Sequence, residues 1–332
     1  MQIKKTHIQN FTVFEDMQIE FSKGINVLIG TNGTGKTHLL KSLYAVCERV
    51  NRKESNDISR PYFSVNPMEL VRDNKDLTKT TQVKVDFAKE SSSSYQIIKH
   101  EGGKLAADGA RYTNIDFALK PVFIPAKEML SHSKGFLALN NKYDIPFDKT
   151  YVDILTNAEL PEAREISSLD ENLLTTISKV IDGKVLHENG AFYVLKTDGD
   201  KIEFPVEAEG LRKFGLLWKL IRNGLIETNT ILFWDEPEAN INPELMPILV
   251  DILLELQRKG VQIFLATHSY NLAKYFEVKQ TEQDAVLYHY LYKTKNGVKS
   301  ESNQYFGELG NNPIIEADAK LLDDVIEEQF NE

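Results

Sequence analysis

The spacing of hydrophobic positions changes along the chain. Met17, Ile19 and Phe21 alternate with Gln18 and Glu20, the period of two expected of a half-buried strand. Ile25, Val27, Leu28 and Ile29 form a short apolar run, the pattern of a strand buried on both faces. The period then lengthens. Leu39, Leu40, Leu43, Val46, Cys47 and Val50 line one face of a helix predicted over 36–50. Residues 51–75, broken by Pro61 and Pro67, read as loop. Thr81–Phe87, Tyr95–His100 and Val122–Ile124 read as strands, with Ser91–Ser94 as an exposed hairpin tip. Residues 128–185 are weakly periodic and mostly helical or loop in character. Val194–Lys196 and Lys201–Phe204 flank Thr197-Asp198-Gly199-Asp200, a hairpin signal. A helix from Glu209 presents Leu211, Phe214, Trp218 and Ile221 on one face. Ile231–Trp234 and Val261–Ala266 are buried strands. The helix between them starts at Asn242 and Pro243 and ends at Lys259 and Gly260. An acidic amphipathic helix follows from Glu316. This alternation predicts an α/β fold with a largely parallel core sheet. Residues 1–127 and 201–332 form its discontinuous core. Residues 128–200 form a mostly helical insert without long coiled-coil arms.

Chemistry enters at the end of the first apolar run. Gly30-Thr31-Asn32-Gly33-Thr34-Gly35-Lys36-Thr37 matches G-x-x-x-x-G-K-[ST] in full, between a strand and an amphipathic helix. Glycines let the backbone turn sharply, so that its N–H groups reach phosphate oxygens. The helix that follows aims its positive end at the same anion. Lys36 would neutralise the β- and γ-phosphates of ATP, and Thr37 would place its hydroxyl on Mg²⁺. The strand Ile231–Trp234 ends in Asp235 and Glu236 before Pro237. Asp235 suits Mg²⁺ held through its water shell, and Glu236 suits a general base for the attacking water. The next strand ends in Thr267-His268-Ser269, where His268 could hydrogen-bond the γ-phosphate. The fold predicted is therefore that of a P-loop NTPase.

Charge and composition narrow the partners. The 332 residues carry a formal charge of −10, which argues against a wholly electrostatic DNA binder. Arg49, Arg52, Lys53 and Arg60 offer a local basic patch, with a solvated face as the plainer reading. A single cysteine, Cys47, excludes an internal disulfide framework and a zinc site built on several thiolates. No apolar run approaches the ~20 residues of a membrane span, and the N-terminus lacks a secretion-signal pattern, so a cytoplasmic location is expected. Asn141-Lys142-Tyr143-Asp144 spells the N-K-x-D of guanine recognition. No D-x-x-G lies between it and the phosphate loop, so Lys142 and Asp144 are read as surface charges.

Taken in order, the phosphate loop, Asp235-Glu236-Pro237 and Thr267-His268-Ser269 resemble an ABC-type ATPase head of the RecF/SMC/OLD-like branch. Ile8-Gln9-Asn10-Phe11, Ile19-Glu20-Phe21 and Gly24-Ile25-Asn26-Val27 resemble the lead-in strands of that branch. Pro125–Leu130 and Asp235–Pro243 resemble the AAA-family ATPases of bacterial anti-phage defence operons in particular. The resemblance implies a mixed lead-in sheet and a head-to-tail homodimer, or higher oligomer, that sandwiches ATP. It also implies a separately encoded effector, a nuclease or toxin, that this chain regulates. In such heads a signature motif faces the partner's phosphate loop. The matching segment here, Glu207–Lys213, lacks the usual serine and keeps Gly210 with the basic residues Arg212 and Lys213. Arg212 or Lys213 supplies charge in trans, or both lie on the solvent face of their helix. Glu238–Asn242 would be the dimer-contact loop, and Lys127 or Glu128 stands where ABC heads carry a glutamine. The missing serine also fits a nucleotide-dependent scaffold with little hydrolysis. The lead-in strands fit a RecF-like DNA-repair ATPase.

Overall fold

A computed structural model describes residues 2–52, 59–73, 81–88, 91–99, 105–113, 117–143, 145, 147–310 and 312–330. Strands β1 (Ile3–Phe11) and β2 (Phe14–Glu20) open the chain, followed by β3 (Ile25–Ile29), α1 (Lys36–Arg52) and the short helix α2 (Ser59–Phe63). Next come β4 (Thr81–Phe87), β5 (Ser91–Lys99), β6 (Leu105–Thr113) and β7 (Lys120–Ile124). The middle of the chain forms α3 (Phe136–Lys142), α4 (Lys149–Glu159) and α5 (Ser168–Ile181). Three short strands follow them, β8 (Gly183–Glu188), β9 (Ala191–Lys196) and β10 (Lys201–Glu203). The last third is α6 (Glu209–Arg222), β11 (Thr230–Asp235), α7 (Met246–Arg258), β12 (Gln262–Thr267), α8 (Tyr270–Lys279), β13 (Val286–Thr294), β14 (Gly297–Asn303) and α9 (Pro313–Phe330).

The core sheet has the order β14-β13-β3-β12-β11-β7. Its strands are parallel except β14, which pairs antiparallel with β13 at the edge. Its central strands β3, β12 and β11 are covered on both faces and buried throughout, so they are apolar on both sides for most of their length. Ile231 and Phe233 join one cluster, with Leu28, Phe123, Phe264 and the apolar face of α1. Leu232 and Trp234 join the other, with Leu265 and residues of α4, α5, α6 and α7. Phe233 stacks between Phe123 and Phe264, at centroid distances of 6.4 and 5.1 Å. A second sheet, β2-β1-β4-β5-β6, is antiparallel throughout and lies over α1. The parallel register aligns the C-terminal ends of β3, β12 and β11 side by side, pairing Thr267 with Ile29 and Asp235 with Ala266. Open parallel sheets bind ligands at that edge.

Four local expectations change. Ser91–Ser94 is not a hairpin tip but the start of β5, paired with β4 from Ser91↔Phe87 to Ser94↔Lys84. Serine has no strong strand preference, and the neighbouring ladder decides. Residues 51–75 are not all loop: α2, a 3₁₀ turn at Pro67–Leu70 and a bridge between Phe11 and Val71 lie there. The expectations also omit β6 and the hairpin β13–β14. The sequence Leu105-Ala106-Ala107-Asp108-Gly109-Ala110 is poor in strand formers. Asn296-Gly297, by contrast, is a turn signal between two such runs. Arg49 belongs to no exposed basic patch, because it is buried on α1. Lys53 and Asp144 lie outside the described residues, as do the side chains of Arg52 and Arg60.

Candidate functional site

The phosphate loop links β3 to α1. Gly35 has a φ of +83°, and a Cβ there would stand 2.6 Å from both Phe14 Cζ and Val13 Cγ2, so only glycine fits against the β1–β2 turn. The turn into α1 is held by the Leu39 N–H, which donates to the Gly35 carbonyl at 2.8 Å. Lys36 is nearly buried, and its Nζ donates to the carbonyls of Gly30 at 2.7 Å and Thr31 at 3.2 Å. Burial pushes its pKa down against the pull of Asp235, Glu236 and Glu238. Thr34 Oγ1 donates to Thr31 O at 2.9 Å, bracing the loop. Gly30, Asn32 and Gly33 complete it.

The acidic wall comes from β11. Thr37 Oγ1 donates to Asp235, at 2.9 Å to Oδ2 and 3.2 Å to Oδ1, across 198 residues of chain. Asp235 is 7% exposed, and burial pushes its pKa up to about 6. Glu236 follows with φ +47°. Its N–H donates to Ala266 O at 2.9 Å, and its half-exposed carboxylate stands 3.6 Å from His268 Nδ1. Thr267 Oγ1 donates to Glu238 Oε1 at 2.5 Å and accepts from the Ser269 N–H at 2.9 Å. Burial raises the Glu238 pKa as well.

This donor set fits a magnesium-bound nucleoside triphosphate. Asp235 is a desolvated carboxylate whose partner is a hydroxyl, and a divalent cation would offset that desolvation. Among the described residues no group of three or more His, Cys, Asp or Glu could hold a metal alone. That suits Mg²⁺, which takes one or two protein ligands and fills its remaining positions with water and phosphate oxygens.

α6 meets the acidic wall from behind. A Cβ on Gly210 would stand 2.7 Å from Asn240 O and 3.2 Å from Ile241 Cα, so helix and loop touch backbone to backbone. Arg212 Nε lies 3.3 Å from Glu128 Oε2, and Glu128 Oε1 accepts from the N–H groups of Leu130 and Ser131. Lys213 is 2% exposed, and its Nζ donates to Glu236 O at 2.9 Å. The solvent-face reading of these two basic residues therefore does not hold: both point into the chain's own loops. Lys127 Nζ instead lies 6.0 Å from the centroid of the Phe147 ring. The sequence expectation gives Glu238 only as the start of a dimer-contact loop and omits Lys41. Glu238 sits three residues after Asp235. Lys41 pairs with Asp148 at 2.5 Å, and its charge works against the rise of the Asp235 pKa. Its position four residues after Thr37, on the same helical face, is the signal that could have found it.

Comparison with known proteins agrees with this architecture. The family described as "AAA domain, putative AbiEii toxin, Type IV TA system" matches residues 116–274, and one described as "AAA domain" matches residues 5–157. The DNA replication and repair protein RecF of Ligilactobacillus salivarius is 40% identical over 57 residues, 17% of this chain and 15% of its own. RecF of Cytophaga hutchinsonii is 45% identical over 47 residues, 14% of this chain and 12% of its own, so these matches span well under a fifth of the RecF length. RecF of Staphylococcus aureus is 23% identical over 282 residues, 80% of this chain and 71% of its own. Among solved structures, the SMC head bound to the C-terminal winged-helix domain of ScpA has a TM-score of 0.59 at 14% identity, covering 91% of this chain and 98% of that one. The Pyrococcus furiosus SMC head with an extended coiled coil has a TM-score of 0.57 at 11% identity, covering 98% and 99%. The fold is that of an SMC head, a P-loop ABC-type ATPase fold. The sequence matches are to AAA domains and to RecF, and the likeness to SMC is one of fold. No helix among the described residues is long and apolar enough to cross a membrane.

Proposed function

We propose that this chain binds ATP with Mg²⁺ and hydrolyses it, and that the cycle governs its assembly with further copies of itself and with a separately encoded effector. One observation carries the ATPase reading: Thr37 and Asp235 are hydrogen bonded beside Lys36 and Glu236. Lys36 and the start of α1 would hold the phosphates, and Mg²⁺, bound by Thr37 and Asp235, would neutralise charge on them. Glu236 would accept the proton of the attacking water. His268, close to its carboxylate, would orient that water or the terminal phosphate. The test is Glu236→Gln, with turnover and binding measured separately. ATP affinity should stay within about threefold, while turnover falls on the order of 10²–10⁴-fold. Unchanged turnover would remove Glu236 from this role.

The effector would be a nuclease or toxin in bacterial anti-phage defence. The motif likeness at 125–130 and 235–243 and the toxin–antitoxin description of the matching family support that setting. Native mass spectrometry of Glu236→Gln with Mg-ATP should detect an oligomer carrying nucleotide together with a second gene product. A bare monomer would count against the assembly. The RecF likeness along 80% of the chain favours a second reading, a DNA-repair ATPase. That reading requires DNA binding that weakens steeply with salt.

A further inference from the structure

The first turns of α6 grip the loop that carries Glu236. Gly210 brings the helix backbone against Asn240 and Ile241. One turn on, Lys213 donates to the Glu236 carbonyl oxygen at 2.9 Å. Glu236 has a left-handed backbone, which a residue with a side chain keeps only when its surroundings enforce it. The buried Lys213 ammonium faces Glu209 on its own helix and Asp235, Glu236 and Glu238 across the gap. Burial pushes its pKa down, and these four carboxylates oppose that shift. Arg212 reaches the other way, to Glu128, so the same helix also braces the loop after β7.

We propose that Lys213 is a positioning residue for hydrolysis. By fixing the Glu236 main chain in its left-handed turn, it aims the Glu236 carboxylate at the mouth of the phosphate loop. Lys213 acts through Glu236 and within one chain, which gives this basic residue a task that needs no partner protomer. The inference rests on Glu236 as the general base.

The test uses the full chain with Lys213→Met, which keeps the volume and removes the donor, and Lys213→Arg, which keeps a cationic donor. Lys213→Met should lower kcat on the order of 10–100-fold, the scale of a small misplacement of a catalytic group, with KM for ATP within about twofold. Lys213→Arg should recover part of the loss. In a Glu236→Gln background, Lys213→Met should cost nothing further in residual turnover. Amide hydrogen exchange should quicken across 236–241 in Lys213→Met. Unchanged kcat, a parallel rise in KM, or an equal loss in the Glu236→Gln background would overturn the proposal. A wild-type chain without turnover would remove the general-base reading instead. Hydrogen exchange would then still decide whether Lys213 holds the loop: unchanged exchange at 236–241 overturns that part too.

Discussion

The two walls of the site treat their charges in opposite ways. The phosphate loop closes on itself: Lys36 is held by the carbonyls of Gly30 and Thr31, within six residues of its own position. The acidic wall depends on distant parts of the chain. Asp235 takes its hydrogen bond from Thr37, the Glu236 carbonyl takes one from Lys213, and Glu238 takes one from Thr267. The cationic wall is therefore a local device, and the anionic wall is a tertiary one. Both walls carry desolvated charges on neutral partners: Lys36 on backbone carbonyls, Asp235 and Glu238 on hydroxyls.

Four substitutions separate the walls. The largest effect should come from Lys36→Met, which removes the loop's own cation: ATP affinity measured by calorimetry should fall on the order of 100-fold. An affinity left intact would mean that the loop's backbone alone binds the phosphates. Asp235→Asn should lose magnesium-dependent nucleotide binding yet stabilise the nucleotide-free chain. The sign follows from the raised pKa. An aspartate that titrates near ~4 when unfolded and about 6 when folded binds its proton more tightly in the native state. The penalty is absent below ~pH 4, grows up to about 6 and is complete above it. Denaturant melts at about pH 7.5 should then favour the Asp235→Asn protein by up to about 3 kcal/mol, with the gain fading toward ~pH 4. A destabilised Asp235→Asn protein would mean that the carboxylate is compensated after all.

Gly210→Ala sharpens the comparison from the supporting side. Its Cβ would press on backbone, which cannot rotate away, so stability should fall by about 1–2 kcal/mol in the same melts. No change would mean that α6 and the Glu236–Asn240 loop separate freely. The smallest effect belongs to Glu238→Gln. Thr267 can still donate to the amide oxygen, and a buried charge is removed, so stability near pH ~7.5 should rise by less than ~1 kcal/mol. That gain should also shrink on acidification, and a loss instead would reveal a stronger tie to the carboxylate.

Much of the site could be read in advance because its chemistry is written in short runs. Gly30–Thr37, Asp235-Glu236 and Thr267-His268 each stand at the end of an apolar run, and the pleat of a buried strand leaves such a run few alternatives. Ser91–Ser94 and Leu105–Thr113 could not be read this way, since they are strands only because β4 and then β5 offer a ladder. The roles of Arg212 and Lys213 were equally hidden. Their place on an amphipathic helix is compatible with solvent, a partner or the interior. Only the packing of α6 against Glu128 and Glu236 sets the solvent-face reading aside.

By itself, the sequence determined the alternation of elements, the phosphate loop and the acids that end β11. These follow from side-chain period and backbone sterics within a few neighbouring residues. The tertiary structure decided which distant groups meet: Thr37 with Asp235, Lys213 with the Glu236 carbonyl, Arg212 with Glu128. It also decided how much water each one keeps. Desolvation depends on everything packed around a charge, and that surrounding is assembled from segments far apart in the chain, so no local pattern carries it.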